Sequence, residues 1–389
     1  MNTDESNPMN DWDPDGAQVT SDQVAAYDDM RRRCPIAHSE HRGWSVFRHA
    51  DVMQVLSDHE TFSSKVSRHV SVPNGMDPPD HTKYRRLIQP YFAADRIAAF
   101  QPACRSIASQ LLRQICSGNA KVEVMGELAT PFAARVQCAF LGWPDSLHTD
   151  LIRWAADHHD ATRRADRESL SRLANQLDGI IDDLIHQRTA AGQDATPDLT
   201  FSLINETFDG RKLNNQQIAS ILRNWTVGEV GTIAASIGII IHHLARNTQD
   251  RAALRADSSR WPNAIDEILR VHNPLHGNRR VTTCPVQLGD RSIGSGERVY
   301  INWISANRDD SVFPDAAEVQ LDRSQENNLL YGSGIHVCPG APLARMELLV
   351  FMEELFAITP AFTLQSQSTV VPAKYPESGY SIVPIQFQI

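Results

Sequence analysis

Apolar residues recur at three- and four-residue spacing over most of this chain, the period of helices that bury one face. The pattern predicts helices over residues 21–33 (Val24, Tyr27, Met30), 51–56, 100–114, 131–141, 151–158 and 170–188, and again at 198–203, 214–246 and 264–271. Cys34-Pro35 ends the first of these. Strand-like stretches are few and short: 44–47, 286–288, 291–293, 298–302 and a pair within 380–387, with turns at Gly289-Asp290 and Ser295-Gly296. Residues 61–79 are polar and proline-rich and read as a loop, and 189–197 as a polar break. Residues 1–20, rich in Asp, Asn and Pro, read as a flexible or loosely docked N-terminal arm, with one domain over 21–389. The chain is mainly α, with a small β-rich part.

The 214–246 stretch is the longest helical candidate, on the order of 50 Å at ~1.5 Å per residue. Its middle, Thr226-Val-Gly-Glu-Val-Gly-Thr232, sets Gly228 and Gly231 inside an apolar run. Each glycine costs about 1 kcal/mol against alanine there, which asks for either close helix packing or a ligand lying against the helix. The apolar run around 230–241 falls short of the roughly 18 residues that a membrane span needs.

Composition narrows the class. The 389 residues are 41% hydrophobic and 22% charged, ordinary for a globular protein, and the net charge of −10 argues against a nucleic-acid partner. The six cysteines (34, 104, 116, 138, 284 and 338) show no C-x-x-C spacing. That excludes a zinc site or disulfide framework and suits a reducing cytoplasm. The acidic, polar N-terminus is no signal peptide and no membrane anchor.

Three stretches carry candidate chemistry. In Tyr331-Gly-Ser-Gly-Ile-His-Val-Cys338-Pro-Gly a glycine loop leads to a cysteine, and a helical run (Leu343, Ala344, Met346, Leu348, Leu349, Phe351, Met352) follows. A thiolate at a helix mouth is stabilised by unpaired N–H groups, and Pro339 suits a first helical turn. Such a cysteine is an axial metal ligand, a nucleophile or a buried structural thiol. His81 and Arg85, four apart after Asp77-Pro-Pro-Asp80, share a helix face that either is solvated or holds an anion. Glu267 and Arg270 form an i, i+3 pair, which alone reads as a surface ion pair.

Together these strings resemble the cytochrome P-450 family. The Cys338 loop is similar to Phe-Gly-x-Gly-x-His-x-Cys-x-Gly followed by Leu-Ala-Arg-x-Glu, with Tyr331 in place of Phe. Asp77 to Arg86 resembles the segment that binds a heme propionate, Glu267-x-x-Arg270 the family's Glu-x-x-Arg motif, and Ala306-Asn-Arg-Asp309 a further family stretch. The resemblance implies a cytochrome P-450 fold, a large helical domain with a small β-rich subdomain. It implies heme b (iron protoporphyrin IX) with Cys338 as axial iron ligand, and His81, Arg85, Arg280 and His336 as propionate partners, Arg279 lying one residue off that register. It further implies a structural network of Glu267, Arg270 and Arg323, and Thr232 on the oxygen side of the central helix. There the chain departs from the pattern: Gly231 stands where an acid is expected, and Glu229 is two positions earlier. Glu229 is then either a proton relay beside Thr232 or a buried acid with another partner.

By the same resemblance the substrate pocket draws on Val66, Val70, Val72, Val227, Val230, Leu275, His276 and Asn278, which suits a small or medium, mainly apolar substrate with one or two polar handles. The implied activity is a heme-thiolate monooxygenase using O2. The chain has no Gly-x-Gly-x-x-Gly after a strand and no iron–sulfur cysteine cluster. Electrons are therefore expected from a separate ferredoxin and an NAD(P)H-dependent ferredoxin reductase, docking on Arg345, Arg96, Arg86 and Lys83. The 223–232 segment is loosely similar to heme domains with a fused reductase. A peroxide-driven or nitric-oxide-reducing variant, or a non-catalytic heme or ligand-binding protein, are the alternatives.

Overall fold

The computed structural model describes residues 11–67, 69–118, 121–192 and 198–388. Its axis is the helix Asn215–Arg246, 32 residues long. Asn214 and Gln217 start it with a reciprocal capping box, each side chain bonding the other's backbone N–H. From Val230 to Ala245 nearly every residue is buried except Gly231 and Thr232, because neighbouring helices Thr130–Leu141, Arg167–Ala191 and Trp261–Val271 pack around it. Among the described residues it is the one helix long and apolar enough to cross a membrane. Its apolar window is 78% buried inside the protein, the mark of a core helix. Gly238 is a packing glycine: a Cβ there would meet Met125 Sδ. Gly228 has no neighbour within 4 Å of such a Cβ, so packing does not explain it.

Helices Ala94–Gly118 and Ala341–Ile358 lie against each other, and the second follows the cysteine loop. The helices expected at 21–33, 51–56, 131–141, 151–158 and 170–188 are present as Gln23–Arg33, His49–Ser57, Thr130–Leu141, His148–Arg163 and Arg167–Ala191. The 189–197 break lies largely outside the described residues.

The β-rich part is a five-stranded sheet in the order Ile36–Ser39, Gly43–Val46, Arg298–Asn302, Gly277–Thr282, Phe62–Ser63. Helix His49–Ser57 shares its core through Val52, Val55 and Leu56. The strand Gly277–Thr282 escapes a reading by apolar alternation, since Asn278, Arg279 and Arg280 are polar. The expected terminal strand pair is not a pair. Tyr380–Ile382 bonds Val371–Pro372, whereas Pro384–Gln388 lies between Ala361–Leu364 and Lys121–Glu123.

The N-terminal arm, expected to be flexible or loosely docked, is docked from Asp11 onward: Trp12 is buried edge-on against Tyr27 and Phe47, and Asp11 bonds the backbone of His38. A helix, Ala17–Ser21, forms within it. One buried tryptophan provides enough apolar surface, about 2–3 kcal/mol, to hold a short polar segment down.

Glu267 and Arg270, read alone as a surface pair, are both fully buried. Arg270 grips both oxygens of Glu267 through Nε and Nη2 (2.7 and 2.9 Å), while Nη1 donates to the carbonyls of Asn307 and Ala316 and Nη2 also to that of Glu318. Arg323 Nε reaches Glu267 Oε1 at 2.9 Å. The network sews helix Trp261–Val271 to the segment 307–323 that leads to the cysteine loop. Removing one member leaves a buried charge unpaired. Glu267→Ala should therefore lower unfolding free energy by about 3–5 kcal/mol; a loss under ~1 kcal/mol in chemical denaturation would make the network dispensable.

Candidate active site

The loop before Cys338 turns twice through left-handed backbone, at Gly332 (φ 72°) and Gly334 (φ 70°). A Cβ on Gly334 would sit 2.6 Å from the carbonyl oxygen of Leu56, so only glycine fits there. The Cys338 N–H bonds the Tyr331 carbonyl (2.9 Å), closing the loop. The following helix begins at Ala341 with Gly340 as its cap, so its first-turn proline is Pro342 and not Pro339. Cys338 is surface-accessible although protein surrounds its thiol, as for a side chain lining an internal space. Burial pushes this thiol above its ordinary value. The backbone N–H groups of Gly340 and Ala341, and the Arg85 charge, pull it back down. Arg345 holds the loop from outside, bonding Asp266 Oδ2 (2.8 and 2.9 Å) with its guanidinium 4.5 Å from the Tyr331 ring centroid.

A second group gathers residues far apart in sequence. The His81 and His336 rings lie 4.3 Å apart, and His336 Nε2 is 2.9 Å from Ser64 Oγ. Burial, then His81 and the charges of Arg280 and Arg85, hold His336 down to about 3. Burial and Arg85 lower His81, and both of its ring nitrogens are buried without a partner. Arg280, not its exposed neighbour Arg279, faces this cluster. Its pKa is lowered by burial and supported by Asp77, whose carboxylate accepts from Ser63 Oγ and the Ser64 N–H. Two arginines and two imidazoles thus stand together with one nearby carboxylate, and orphaned buried nitrogens call for an acceptor. Buried carboxylates need such partners. A thiol with N–H donors aimed at its sulfur, beside a cationic cluster, fits a heme with two propionates. Asp77 and Ser64 were not anticipated from sequence.

On the central helix, Thr232 Oγ1 donates to the Gly228 carbonyl (2.6 Å). Glu229 does not turn toward it. Part of the residue is accessible, but its Oε1 is buried, and the group that acts on its carboxyl is Glu347 of the ligand-loop helix. Among the described residues Glu229 Oε1 and both oxygens of Glu347 have no donor, so keeping a proton between the two buried acids relieves them. Burial raises both carboxyls, Glu347 strongly, and mutual repulsion adds to the effect on Glu347. Buried Cys104, pushed up to about 12, borders the pair. Of the two readings of Glu229, the structure supports an acid with another partner.

The pocket residues divide. Val66, Val70, Val227 and Leu275 are among the six large apolar side chains left exposed in the described residues, together with Val337 beside the cysteine. Val230 lines a cleft with Val227 and Gly231. Two others are corrections. Val72 packs in a core cluster and bonds Ser220 Oγ through its N–H. His276 is buried, its two nitrogens bonded to Tyr27 and Tyr300; the core took this polar side chain because only buried partners could satisfy it. Asn278 is exposed and accepts from Trp303 Nε1 at 2.7 Å. Of the basic patch, Lys83 is tied to Asp209 (2.7 Å) and Arg345 to Asp266.

A family model described as "Cytochrome P450" matches residues 157–389. The chain is 29% identical to "Cytochrome P450 130" of Mycobacterium tuberculosis over 89% of this chain and 88% of that protein. It is 29% identical to "Cyclomarin C epoxidase CymV" of Salinispora arenicola, over 84% and 86%. Among solved structures, a mutant of P450 EryK of S. erythraea in complex with erythromycin B superposes with a TM-score of 0.86 at 26% identity, covering 94% and 96% of the two chains.

The carboxyl pair has a signed consequence. Because the folded state holds the pair's proton above the ordinary carboxyl range, the pair is neutral to stability below about pH 4.5 and costs stability as pH rises. Glu347→Gln should raise the melting temperature at pH 8, and the gain should shrink toward zero at pH 4.5. An equal gain at both values would mean that no proton is shared.

Proposed function

The chain belongs to the cytochrome P450 family, and from that membership we propose the following assignment of its residues. It is a heme-thiolate monooxygenase, and Cys338 is the thiolate that binds the iron of a heme b. His81, Arg85, Arg280 and His336 neutralise and bond the propionates. The observation that carries the reading is the pairing of a cysteine just before a helix start, its thiol acidity lowered by the nearby Gly340 and Ala341 N–H groups, with a buried cationic cluster holding two unpartnered imidazole nitrogens.

When bound, the heme supplies dioxygen activation, and a thiolate ligand pushes electron density toward O–O cleavage. The chain's own contributions are positional. Gly332 and Gly334 aim the cysteine, and the Arg345–Asp266 bond and the Glu267 network keep the loop from moving. Thr232 presents a hydroxyl on the open side of the central helix, where Gly228 leaves room for a flat group and a ligand. Glu229, paired with Glu347, serves as a proton store behind that face and not as a direct relay to Thr232. Net turnover is RH + O2 + two electrons + two protons giving ROH + H2O.

The substrate is a medium-sized, mainly apolar organic molecule that meets Val66, Val70, Val227, Val230 and Leu275. Two similar proteins are named for, or were crystallised with, cyclomarin C and erythromycin B, which supports a natural-product scaffold. Electrons come from a ferredoxin and its NAD(P)H-dependent reductase in the cytoplasm. The described cysteines are all unpaired, in keeping with that compartment. Arg86 and Arg96, the latter over the Tyr91 ring at 4.9 Å, remain the basic groups for docking. Residues 21–389 act as one unit.

The carbon monoxide difference spectrum of the reduced protein tests the assignment. Wild type should give the red-shifted thiolate Soret band, and Cys338→Ala should lose it; survival of that band in the variant would reassign the ligand. Arg280→Met should speed heme transfer to an acceptor globin by about tenfold or more, reflecting loss of about 1.4 kcal/mol or more of buried charge pairing. An unchanged transfer rate would remove Arg280 from the propionate set. A panel of natural-product scaffolds screened by Soret shift identifies the substrate class.

A further inference from the structure

The space that a side chain at position 231 would enter is bounded by an imidazole. The atoms nearest to the Cβ that Gly231 lacks are His159 Cε1 at 3.7 Å and Nε2 at 3.8 Å. His159 comes from helix His148–Arg163, which packs across the central helix, and it lines the same small cleft as Thr226, Val227 and Val230. Its other ring nitrogen, Nδ1, is 2.9 Å from Glu377 Oε1. Glu377 sits in the turn before strand Tyr380–Ile382, so the two groups are 218 residues apart in sequence. The pair is part-buried, with 30% of the His159 side chain and 37% of the Glu377 side chain exposed. One edge therefore reaches water while Nε2 looks at the helix one residue from Thr232.

A carboxylate on Nδ1–H fixes the ring and its tautomer and leaves Nε2 to exchange protons, the usual arrangement of an oriented histidine acid. The neighbouring His158 is not equivalent: it stacks on Trp154 with ring centroids 5.0 Å apart. Glu377 is held below the ordinary carboxyl range chiefly by its bond to His159, so it stays an anion through neutral pH.

We propose that His159, oriented by Glu377, delivers protons to the oxygen side of the central helix at Thr232, in place of the acid absent at Gly231. The proposal rests on the monooxygenase reading. The proton leaves Nε2–H and passes through a water or the Thr232 hydroxyl to the open face of the central helix, where oxygen would be reduced. Glu377 keeps hold of Nδ1–H throughout, and water entering the cleft returns a proton to Nε2. Each turnover uses this path for the two protons that end in the released water, the hydrogen of the product hydroxyl coming from the substrate C–H; no other bond is made or broken by the pair.

The test compares wild type with His159→Phe, Glu377→Gln and the double variant His159→Phe/Gly231→Asp, all as heme-loaded protein with a substrate found by Soret shift. Three quantities are read: the carbon monoxide band, the substrate dissociation constant from the Soret shift, and product and hydrogen peroxide formed per NADH. His159→Phe should keep the thiolate band and bind substrate within about threefold of wild type. It should lose about tenfold or more in product per NADH, with the missing electrons recovered as peroxide, in line with removal of a general acid. Glu377→Gln should fall between, and Gly231→Asp should restore coupling to His159→Phe. Unchanged coupling in His159→Phe, or a loss explained wholly by weaker substrate binding, would overturn the proposal. So would failure of Gly231→Asp to restore any coupling. Should the phenylalanine variant not fold, His159→Gln gives the same reading. Absence of the thiolate band in wild type would instead sink the monooxygenase reading.

Discussion

A thiol buried among backbone donors and a cation is the constraint on which the rest of this structure depends. Burial raises the pKa of Cys338, and the fold answers with two backbone N–H groups and the charge of Arg85. Those donors are worth something only if the loop cannot drift. Its rigidity comes from two glycines in left-handed backbone, from Arg345 clamped on Asp266, and from the Glu267–Arg270–Arg323 network one residue further along the same helix. Burying that network costs desolvation, which excellent geometry offsets: both oxygens of Glu267 are bonded, and Arg270 donates to three carbonyls besides.

The same balance of burial against charge organises the other groups around the central helix. On one side, His81, His336, Arg85 and Arg280 are held in partly or fully buried positions that depress their basicity, a state that an anion relieves. On another, Glu229 and Glu347 face each other and resolve their repulsion by keeping a proton. On the cleft side, His159 and Glu377 are an opposite-charge pair with access to water. One helix thus separates three differently tuned proton environments. Gly228 and Gly231 are where it gives up side chains so that something else can approach.

Much of the architecture was legible from apolar period alone. Long amphipathic helices announce themselves, and the capping residues Asn214 and Gln217 mark where the longest begins. The short strands with clear turns, 286–288 and 291–293, matched residue for residue. The strand Gly277–Thr282 did not, because it carries Asn278, Arg279 and the buried Arg280 where alternation calls for apolar side chains. The docking of the arm is not legible there, because a single tryptophan in a polar segment has no period. Val72 and His276 were misread because position near a pocket in sequence says nothing about which way a side chain turns.

What the sequence determined by itself was local and chemical: the glycine–histidine–cysteine loop, the i, i+3 and i, i+4 pairs, and the family these resemble. Such features depend on residues within one turn of each other, so spacing alone carries them. What only the tertiary structure decided was which distant groups meet. Burial turned the commonplace pair Glu267–Arg270 into a core network and chose Arg280 over Arg279. It sent Glu229 toward Glu347 and away from Thr232. It also brought His159 and Glu377 together beside Gly231. These contacts follow from how helices and sheet edges pack around the central helix, and that packing is set by the summed apolar surface of the whole chain and by no single motif.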